Sequence, residues 1–462
     1  MASPNEDGKG HIKLLVVIFA AWKILLLALA AFCPGPGYDT SSLILVVPGP
    51  SRHDTFTSLS RSDRLNLNLF RWDALYTVKA AERGKVHEQE WAFSWAYSRV
   101  LSLVGQLGFD DGGDFQLRRY IVAGIFISNI CHLLSVVVLY QLLTITTGSP
   151  QKHQIAFVGA VLHITTSASL FLSAPYTEAP FALFNLTGML LYARARLGRR
   201  TNMSSVTEDA CKLGSGISFA LATLMRGNGL LSGLVLLYDV ARYIPRIVSM
   251  QLTVHDVRRI LITCAAGGII ALGFISPQYL AYTEFCSDTQ GTDAPEWCAR
   301  TFPSIYSWVQ SHYWNVGLFR YWTASNLPLF MIAAPMLWLL LSSSVTVLRN
   351  NGQPPFRGRP VPQEGVTTMS GIGSAAVHYV PELALPQLVL AVAAVSSFHV
   401  QIINRLASGY PTWYWMIAAW IVAEQTTPCS AKAARRNQLV VRAIFTYALA
   451  QGMLFANFLP PA

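Results

Sequence analysis

Charged residues are scarce in this 462-residue chain: they make up 13% of it, whereas 52% is hydrophobic. Soluble domains carry about 25% charged residues, so the deficit excludes an ordinary soluble domain and indicates a polytopic membrane protein. The formal net charge of +10 does not indicate a nucleic-acid partner, because the basic residues punctuate hydrophobic segments. They form no basic stripe on a polar helix, and no zinc-finger or RNP-type spacing occurs.

Cysteine is also rare. Only seven are present, with no Cys-x-x-Cys pair or Cys/His cluster, which argues against a structural zinc site. Five of them fall in or near apolar segments or predicted cytosolic segments and are most simply small apolar residues. Cys286 and Cys298 differ, because both lie in one polar loop, twelve residues apart. In an oxidising lumen they could form a disulfide; two free thiols are the alternative.

Long apolar segments dominate what is present. They are 13–33, 120–143, 155–173, 179–195, 214–240, 257–283, 326–348, 383–406, 410–424 and 439–459. The prediction is one all-α polytopic transmembrane domain over 1–462 with about 10–11 hydrophobic segments. Segment 410–424 is too short for a straight span and is predicted to be half-buried or re-entrant. Segment 214–240 is interrupted at Arg226-Gly227-Asn228-Gly229, which predicts two half-helices entering and leaving on the same side, as where helices line a polar cavity.

The basic residues orient these spans. If the N-terminus is cytosolic and the first span is a retained helix, three basic pairs fall on the cytosolic side. They are Arg199-Arg200, Arg258-Arg259 and Arg435-Arg436. The bias of Lys and Arg toward short cytosolic loops then places both large polar loops, 34–119 and 284–325, on the lumenal side. We call them the first and second polar loops. The Pro/Gly-rich segment 349–382 is predicted to be a cytosolic linker.

A carboxylate beside an aromatic residue stands in the first polar loop, at Arg71-Trp72-Asp73. Asp73 has the chemistry of a general base that takes a proton from an attacking hydroxyl, and Trp72 offers a ring face to a sugar or an apolar wall to the carboxylate. The alternative is an ordinary loop carboxylate paired with Arg71.

Further polar residues gather at the predicted lumenal ends of the spans. Ionisable groups at membrane depth are costly, so each is a hypothesis for a site, with an interhelical hydrogen bond as the alternative. Near the C-terminus, His399, Gln401, Asn404 and Arg405 are spaced for one helical face. The full set of predicted binding residues, besides Arg71 and Trp72, is Glu178, Arg226, Asn228, Gln310, His312, Tyr313, Trp314, Asn315, Gln401 and Arg405.

In this order along the chain, the motifs resemble the PIG-V family of GPI mannosyltransferases. The resemblance rests on the segments 71–74, the polar-aromatic stretch 87–97, 173–179, 226–230, 297–298, 303–310, 313–317, 328–335, 399–401 with Arg405, and 457–460. Tyr313-Trp314-Asn315-Val316-Gly317, preceded by Gln310, is the most specific block. Two departures stand out: the run 91–97 lacks the Phe-Phe-Pro type sequence of similar proteins, and Gly227 stands where Ser is common.

The resemblance implies a GT-C glycosyltransferase in the endoplasmic reticulum membrane with a lumenal active site. It further implies a dolichyl phosphate mannose donor, a one-mannose GPI precursor as acceptor, and transfer of the second mannose in α1,6 linkage. A β-linked donor and an α-linked product require inversion, which one general base, Asp73, can support. Arg226 or Arg405 would stabilise the phosphate leaving group, so neither metal nor cofactor is expected.

Other functions stay open. A lipid or solute transporter would also explain a broken helix and buried polar residues, although the halves show no internal repeat. Another lipid-linked-sugar transferase, such as a protein O-mannosyltransferase, is the second alternative. Such proteins resemble one another in an Asp-Glu pair in the first loop, and the first polar loop of this chain has no such pair. A structural subunit is the third alternative. The expected partners are membrane lipids and the two lipid substrates; the need for a small accessory membrane subunit stays open.

Overall fold

The computed structural model describes residues 4–33, 37–46, 60–107, 117–198, 203–287, 295–349, 377–426 and 431–459. Within them, the α-helices α1 to α18 are Pro4–Ala31, Ser41–Val46, Arg61–Leu69, Asp73–Arg83, Trp95–Gln106, Arg118–Thr146, Lys152–Ile164, Glu178–Gly198, Ser205–Met225, Gly233–Ala241, Ile244–Val248, Val254–Cys286, Ile305–His312, Leu327–Arg349, Leu385–Ser396, Ile403–Leu406, Thr412–Thr426 and Ala431–Ala456. Short 3-10 helices are Glu88–Ala92, Ser169–Leu172, Gly227–Ser232, Glu296–Ala299, Ala324–Asn326, Pro381–Ala384, Val400–Ile402 and Ala407–Gly409.

Five helical segments of the described residues are long and apolar enough to cross a membrane. They are Gly8–Ala31, Arg118–Thr146, Val254–Cys286, Ala324–Arg349 and Ala434–Ala456. Shorter helices pack among them, so the chain is an all-helical multi-span protein, as predicted. One of these, α17, covers the short segment 410–424. Residues 412–420 are all buried inside the bundle, because the helix packs against α7 and α14; that the segment is half-buried in the membrane or re-entrant stays a prediction.

A two-stranded pairing joins distant parts of the chain. Strand β1 (Thr147–Gly148) pairs antiparallel with β2 (Val377–His378), with Thr147 opposite His378. The segment after α6 therefore lies beside the end of 349–382, the predicted cytosolic linker. Residues 350–376 of that linker lie outside the described residues.

The predicted interruption of segment 214–240 is present. Helix α9 ends at Met225, Arg226 is extended, and α10 begins only at Gly233. A buried ion pair joins Lys212 on α9 to Asp239 on α10. This contact brings the two arms side by side, so the chain turns back at the break. Helix α9 has 21 residues, about the length of a full span, and is therefore not a half-helix; only the shorter α10 has that length. Entry and exit on the same side of the membrane stay a prediction.

The described residues of the first polar loop are largely helical, and Asp73 stands at the start of α4. Ser60 caps α3 by accepting from the Asp63 amide, and Ser94 caps α5 by accepting from the Tyr97 amide. Trp72 precedes α4 with φ +50°, a conformation that is costly for a bulky side chain and clusters at functional sites. The strained turn places the Asp73 carboxylate at a helix N-terminus, where negative charge is stabilised.

Candidate active site

The Asp73 carboxylate is held by an arginine from the far end of the sequence. Arg405 Nη2 lies 2.8 Å from Asp73 Oδ2, and the Asp73 side chain remains 25% exposed. The base proposed from the sequence is therefore fixed in direction and still reachable. Its partner stands on α16, a single turn between two 3-10 helices.

A second carboxylate extends this pair into a cluster. Glu178, at the start of α8, is only 1% exposed, and its Oε1 lies 2.8 Å from Arg226 Nη1 and 3.3 Å from Arg405 Nε. Neither Glu178 oxygen has a partner with hydrogen-bond geometry among the described residues, so the attraction is mainly coulombic. We call Asp73, Glu178, Arg226 and Arg405 the charged quartet; its four formal charges cancel.

Tyr176 positions the quartet, although the sequence signalled it only as part of the turn before α8. Its hydroxyl donates to the Arg71 carbonyl (2.9 Å) and accepts from the Asp73 amide (3.1 Å). The Arg405 guanidinium lies over the Tyr176 and Phe171 rings, at 5.7 and 5.0 Å from their centres. Burial, and then the nearby Asp73 carboxylate, raises the pKa of the Tyr176 phenol, so it remains a hydrogen-bond donor.

Arg71 and Trp72 turn away from the quartet. Arg71 is fully buried and donates to Ser42 Oγ (2.5 Å) and Asn68 Oδ1 (2.9 Å). Its guanidinium and the Trp72 ring both pack on Phe458, at 4.7 and 4.9 Å. The alternative pairing of Asp73 with Arg71 is therefore not found, and the geometry gives these two residues a role in anchoring the turn.

The break in segment 214–240 supplies Arg226 and holds Asn228 nearby. Arg226 also donates to Thr177 Oγ1 (3.1 Å), and Asn228 Nδ2 donates to the Tyr410 hydroxyl (3.0 Å). A Cβ at Gly227 would lie 3.2 Å from the Tyr306 ring, tighter than ordinary contact. The close approach of Tyr306 gives a physical reason for glycine at this position.

A row of aromatic rings leads away from the quartet. Tyr76, three residues after Asp73, stacks on Phe93 with ring centres 4.5 Å apart, and Phe93 meets the Trp314 ring edge-on at 5.6 Å. We call Tyr76, Phe93 and Trp314 the ring row. Burial, followed by the Asp73 carboxylate, raises the pKa of the Tyr76 phenol.

The structure does not bring the other predicted residues of the second polar loop to the quartet. His312 stacks on Trp308 at 4.3 Å, and the Tyr313 hydroxyl donates to Glu88. The Gln310 carbonyl accepts from the Val316 amide across a turn in which Asn315 has φ +49°. These residues shape the loop that carries Trp314.

The prediction of one shared helical face over 399–405 is wrong. Val400–Ile402 is a 3-10 helix and Ile403–Leu406 a single α turn, so the side chains diverge. His399 bonds to the Trp314 carbonyl, Gln401 accepts from Tyr321, and Asn404 donates to Tyr447. Of this set, the contacts place only Arg405 in the quartet.

The second polar loop is closed by a disulfide between Cys286 and Cys298, the pairing expected if the loop is lumenal. As for a metal, no group of three His, Cys, Asp or Glu side chains is gathered in the part of the chain that the structure describes. Metal-free catalysis stays a prediction of the sequence.

A family model described as mannosyltransferase (PIG-V) matches residues 12–462. This multi-span protein is therefore a glycosyltransferase. The chain belongs to the PIG-V mannosyltransferase family. A relative from Aspergillus fumigatus, named GPI mannosyltransferase 2, is 38% identical, with 98% of this chain and 93% of the relative covered. One of the same name from Chaetomium globosum is 37% identical, covering 100% and 99%.

Two solved structures show weaker likeness. The Archaeoglobus fulgidus oligosaccharyltransferase matches with a TM-score of 0.47 and 11% identity over 98% of this chain, which spans 56% of that protein. ArnT from Cupriavidus metallidurans matches with a TM-score of 0.41 and 13% identity, covering 95% of this chain and 76% of ArnT.

Proposed function

We propose that the chain transfers the second mannose of a GPI anchor, in α1,6 linkage, from dolichyl phosphate mannose to the one-mannose GPI precursor. The family and the names of the curated relatives support the reaction class. The observation that carries the proposal is the Asp73–Arg405 pair: the partly exposed Asp73 carboxylate contacts Arg405, and Glu178 joins Arg405 to the second guanidinium, Arg226. That is a base next to cations suited to a phosphate.

The proposed step is a single inverting displacement. Asp73 takes the proton of the acceptor hydroxyl, whose oxygen bonds to the anomeric carbon of the donor mannose. The bond from that carbon to the phosphate oxygen breaks, and its electron pair stays with dolichyl phosphate. The leaving phosphate is an anion, and Arg226 and Arg405 are the groups placed to stabilise it.

Charge within the quartet stays balanced along this step. When Asp73 becomes protonated it loses its negative charge, and Arg405, 2.8 Å away, loses that partner. At the same moment the phosphate gains negative charge. Arg405 thus exchanges one anion for another, while Glu178 keeps both guanidiniums in place. The step draws on no metal or redox cofactor, and the donor is a substrate.

The proposed setting is the endoplasmic reticulum membrane, with a cytosolic N-terminus and the quartet facing the lumen. A tag inserted near Gly112 should be protected from protease in sealed microsomes, whereas one near Gly352 should be cut. Both positions lie outside the described residues. Cutting at Gly112 with protection at Gly352 would reverse the orientation.

Cells depleted of the protein should accumulate the one-mannose GPI lipid and lose surface GPI-anchored proteins, while dolichyl phosphate mannose is still made. Lipid extraction after mannose labelling identifies the intermediate, and restoring the wild-type chain should clear it. A block at another step would contradict the assignment. General depletion of mannosylated lipids, including those with other acceptors, would favour a transporter.

A further inference from the structure

The two polar loops meet in a small hydrophobic core separate from the main one. Trp91 of the first polar loop packs there with Trp297, Ile305 and Trp308 of the second. Ala281 of α12 adds to this core. The second polar loop is therefore seated on the first through its own set of contacts.

One carboxylate lies at this junction and accepts from three side chains. Glu88 Oε1 accepts from Trp297 Nε1 (2.9 Å), while Glu88 Oε2 accepts from Trp308 Nε1 (2.9 Å) and from the Tyr313 hydroxyl (3.1 Å). Trp297 is fully buried, so its indole N–H has no water to replace Glu88. Leaving such a donor unpaired is costly. The second polar loop is therefore held in the position in which Trp297 can donate to Glu88.

These bonds fix the residue that ends the ring row. Tyr313, bonded to Glu88, directly precedes Trp314, whose ring meets Phe93. The Trp314 carbonyl is held independently by His399 Nε2 at 3.1 Å. On the first polar loop, Lys85 Nζ donates to the Phe93 carbonyl (3.0 Å). Hydrogen bonds to the backbone thus hold both residues of the Phe93–Trp314 contact in place, one on each polar loop.

We propose that Glu88 is a positioning residue for the acceptor: it docks the second polar loop so that Trp314 completes the ring row beside Asp73. Aromatic faces are apolar, and the C–H face of a hexose is the apolar side of that sugar. The ring row, three residues from Asp73 at its near end, therefore fits the glycan of the acceptor lipid. This inference rests on the proposed function.

The test is steady-state kinetics of the full chain in detergent, with dolichyl phosphate mannose and the one-mannose GPI lipid as substrates. Glu88→Gln replaces one carboxylate oxygen with an NH2 group. That group is a donor and would face an indole N–H, which is also a donor, so a hydrogen bond is lost. We expect the KM for the acceptor to rise about tenfold, the scale of one lost charge-assisted hydrogen bond, with the donor KM and kcat within about twofold of wild type. The matched control is Glu82→Gln, because Glu82 pairs with Lys79 on the outer side of α4; it should match wild type.

Trp308→Phe gives a second measurement should Glu88→Gln fold poorly, because it deletes the indole N–H and keeps an aromatic ring in the small core. It should also raise the acceptor KM selectively. The double variant should be little worse than the worse single variant, since both break one network. An acceptor KM that stays unchanged in both variants would overturn the inference. So would a change in donor KM and kcat that follows the loss of folded protein, because the effect would then be one on folding. Failure of the wild-type chain to elongate the acceptor would instead overturn the proposed function.

Discussion

Replacing Asp73 by Asn is expected to lower mannose transfer by about 10²- to 10⁴-fold, the range of general base catalysis, with protein abundance near normal. The amide has the same shape as the carboxylate and can still accept from Arg405, but it cannot take the acceptor proton. The side chain is partly exposed, so losing its ion pair should cost the fold little. Transfer should be measured with labelled dolichyl phosphate mannose and normalised to folded protein.

The chain offers a matched control for this substitution. Asp209 is 23% exposed and pairs with Arg258 at 2.7 Å, so its environment resembles that of Asp73 without Glu178 or the ring row. Asp209→Asn should leave transfer unchanged. Near-wild-type transfer by Asp73→Asn would remove Asp73 from the mechanism, and an equal loss in both variants would point to an effect of charge on stability.

The sequence predicts those features that depend on local pattern. Apolar runs of span length indicate the helical class. The polar interruption at Arg226 indicates the break, because a continuous helix that carries a cation and Gly-Asn-Gly at membrane depth is costly. Asp73 was identifiable because a carboxylate beside an aromatic residue in a polar loop is chemically distinctive. Its partner could not be read in the same way, because Arg405 lies more than 300 positions away and only the packing brings them together.

Features that depend on tertiary contacts were missed or misplaced. Arg71 is a charged residue next to the candidate base in the sequence and was therefore predicted to bind substrate. In the structure its side chain is buried against Ser42 and Phe458. Glu88 stood in a polar-aromatic stretch with no spacing that marks it. Only the folding of the second polar loop onto the first shows what Glu88 binds. The same holds for the ring row, whose members lie in three separate segments.

Removing the charge of Glu178 is expected to damage both stability and transfer. Glu178→Gln removes the carboxylate that pairs with Arg226 and leaves Arg405 with Asp73 alone. Breaking a buried ion pair by deleting one partner costs about 3–5 kcal/mol. The lower end applies here, because Arg226 is partly exposed. The Tm of the purified protein should fall, and transfer per folded molecule should fall as well, because nothing then holds Arg226 and Arg405 in place for the phosphate.

Two further variants separate these effects. Glu208 is also a buried carboxylate between two arginines, Arg258 and Arg259, at 3.6 and 3.1 Å. Glu208→Gln should therefore lower the Tm by a similar amount and leave transfer per folded molecule intact. Combining Glu178→Gln with Arg226→Gln restores the charge balance, so much of the lost stability should return. Transfer should remain low, because a cation that the leaving phosphate needs is then missing. If the double variant regains wild-type transfer, Arg226 has no part in the reaction and Glu178 serves only to neutralise it.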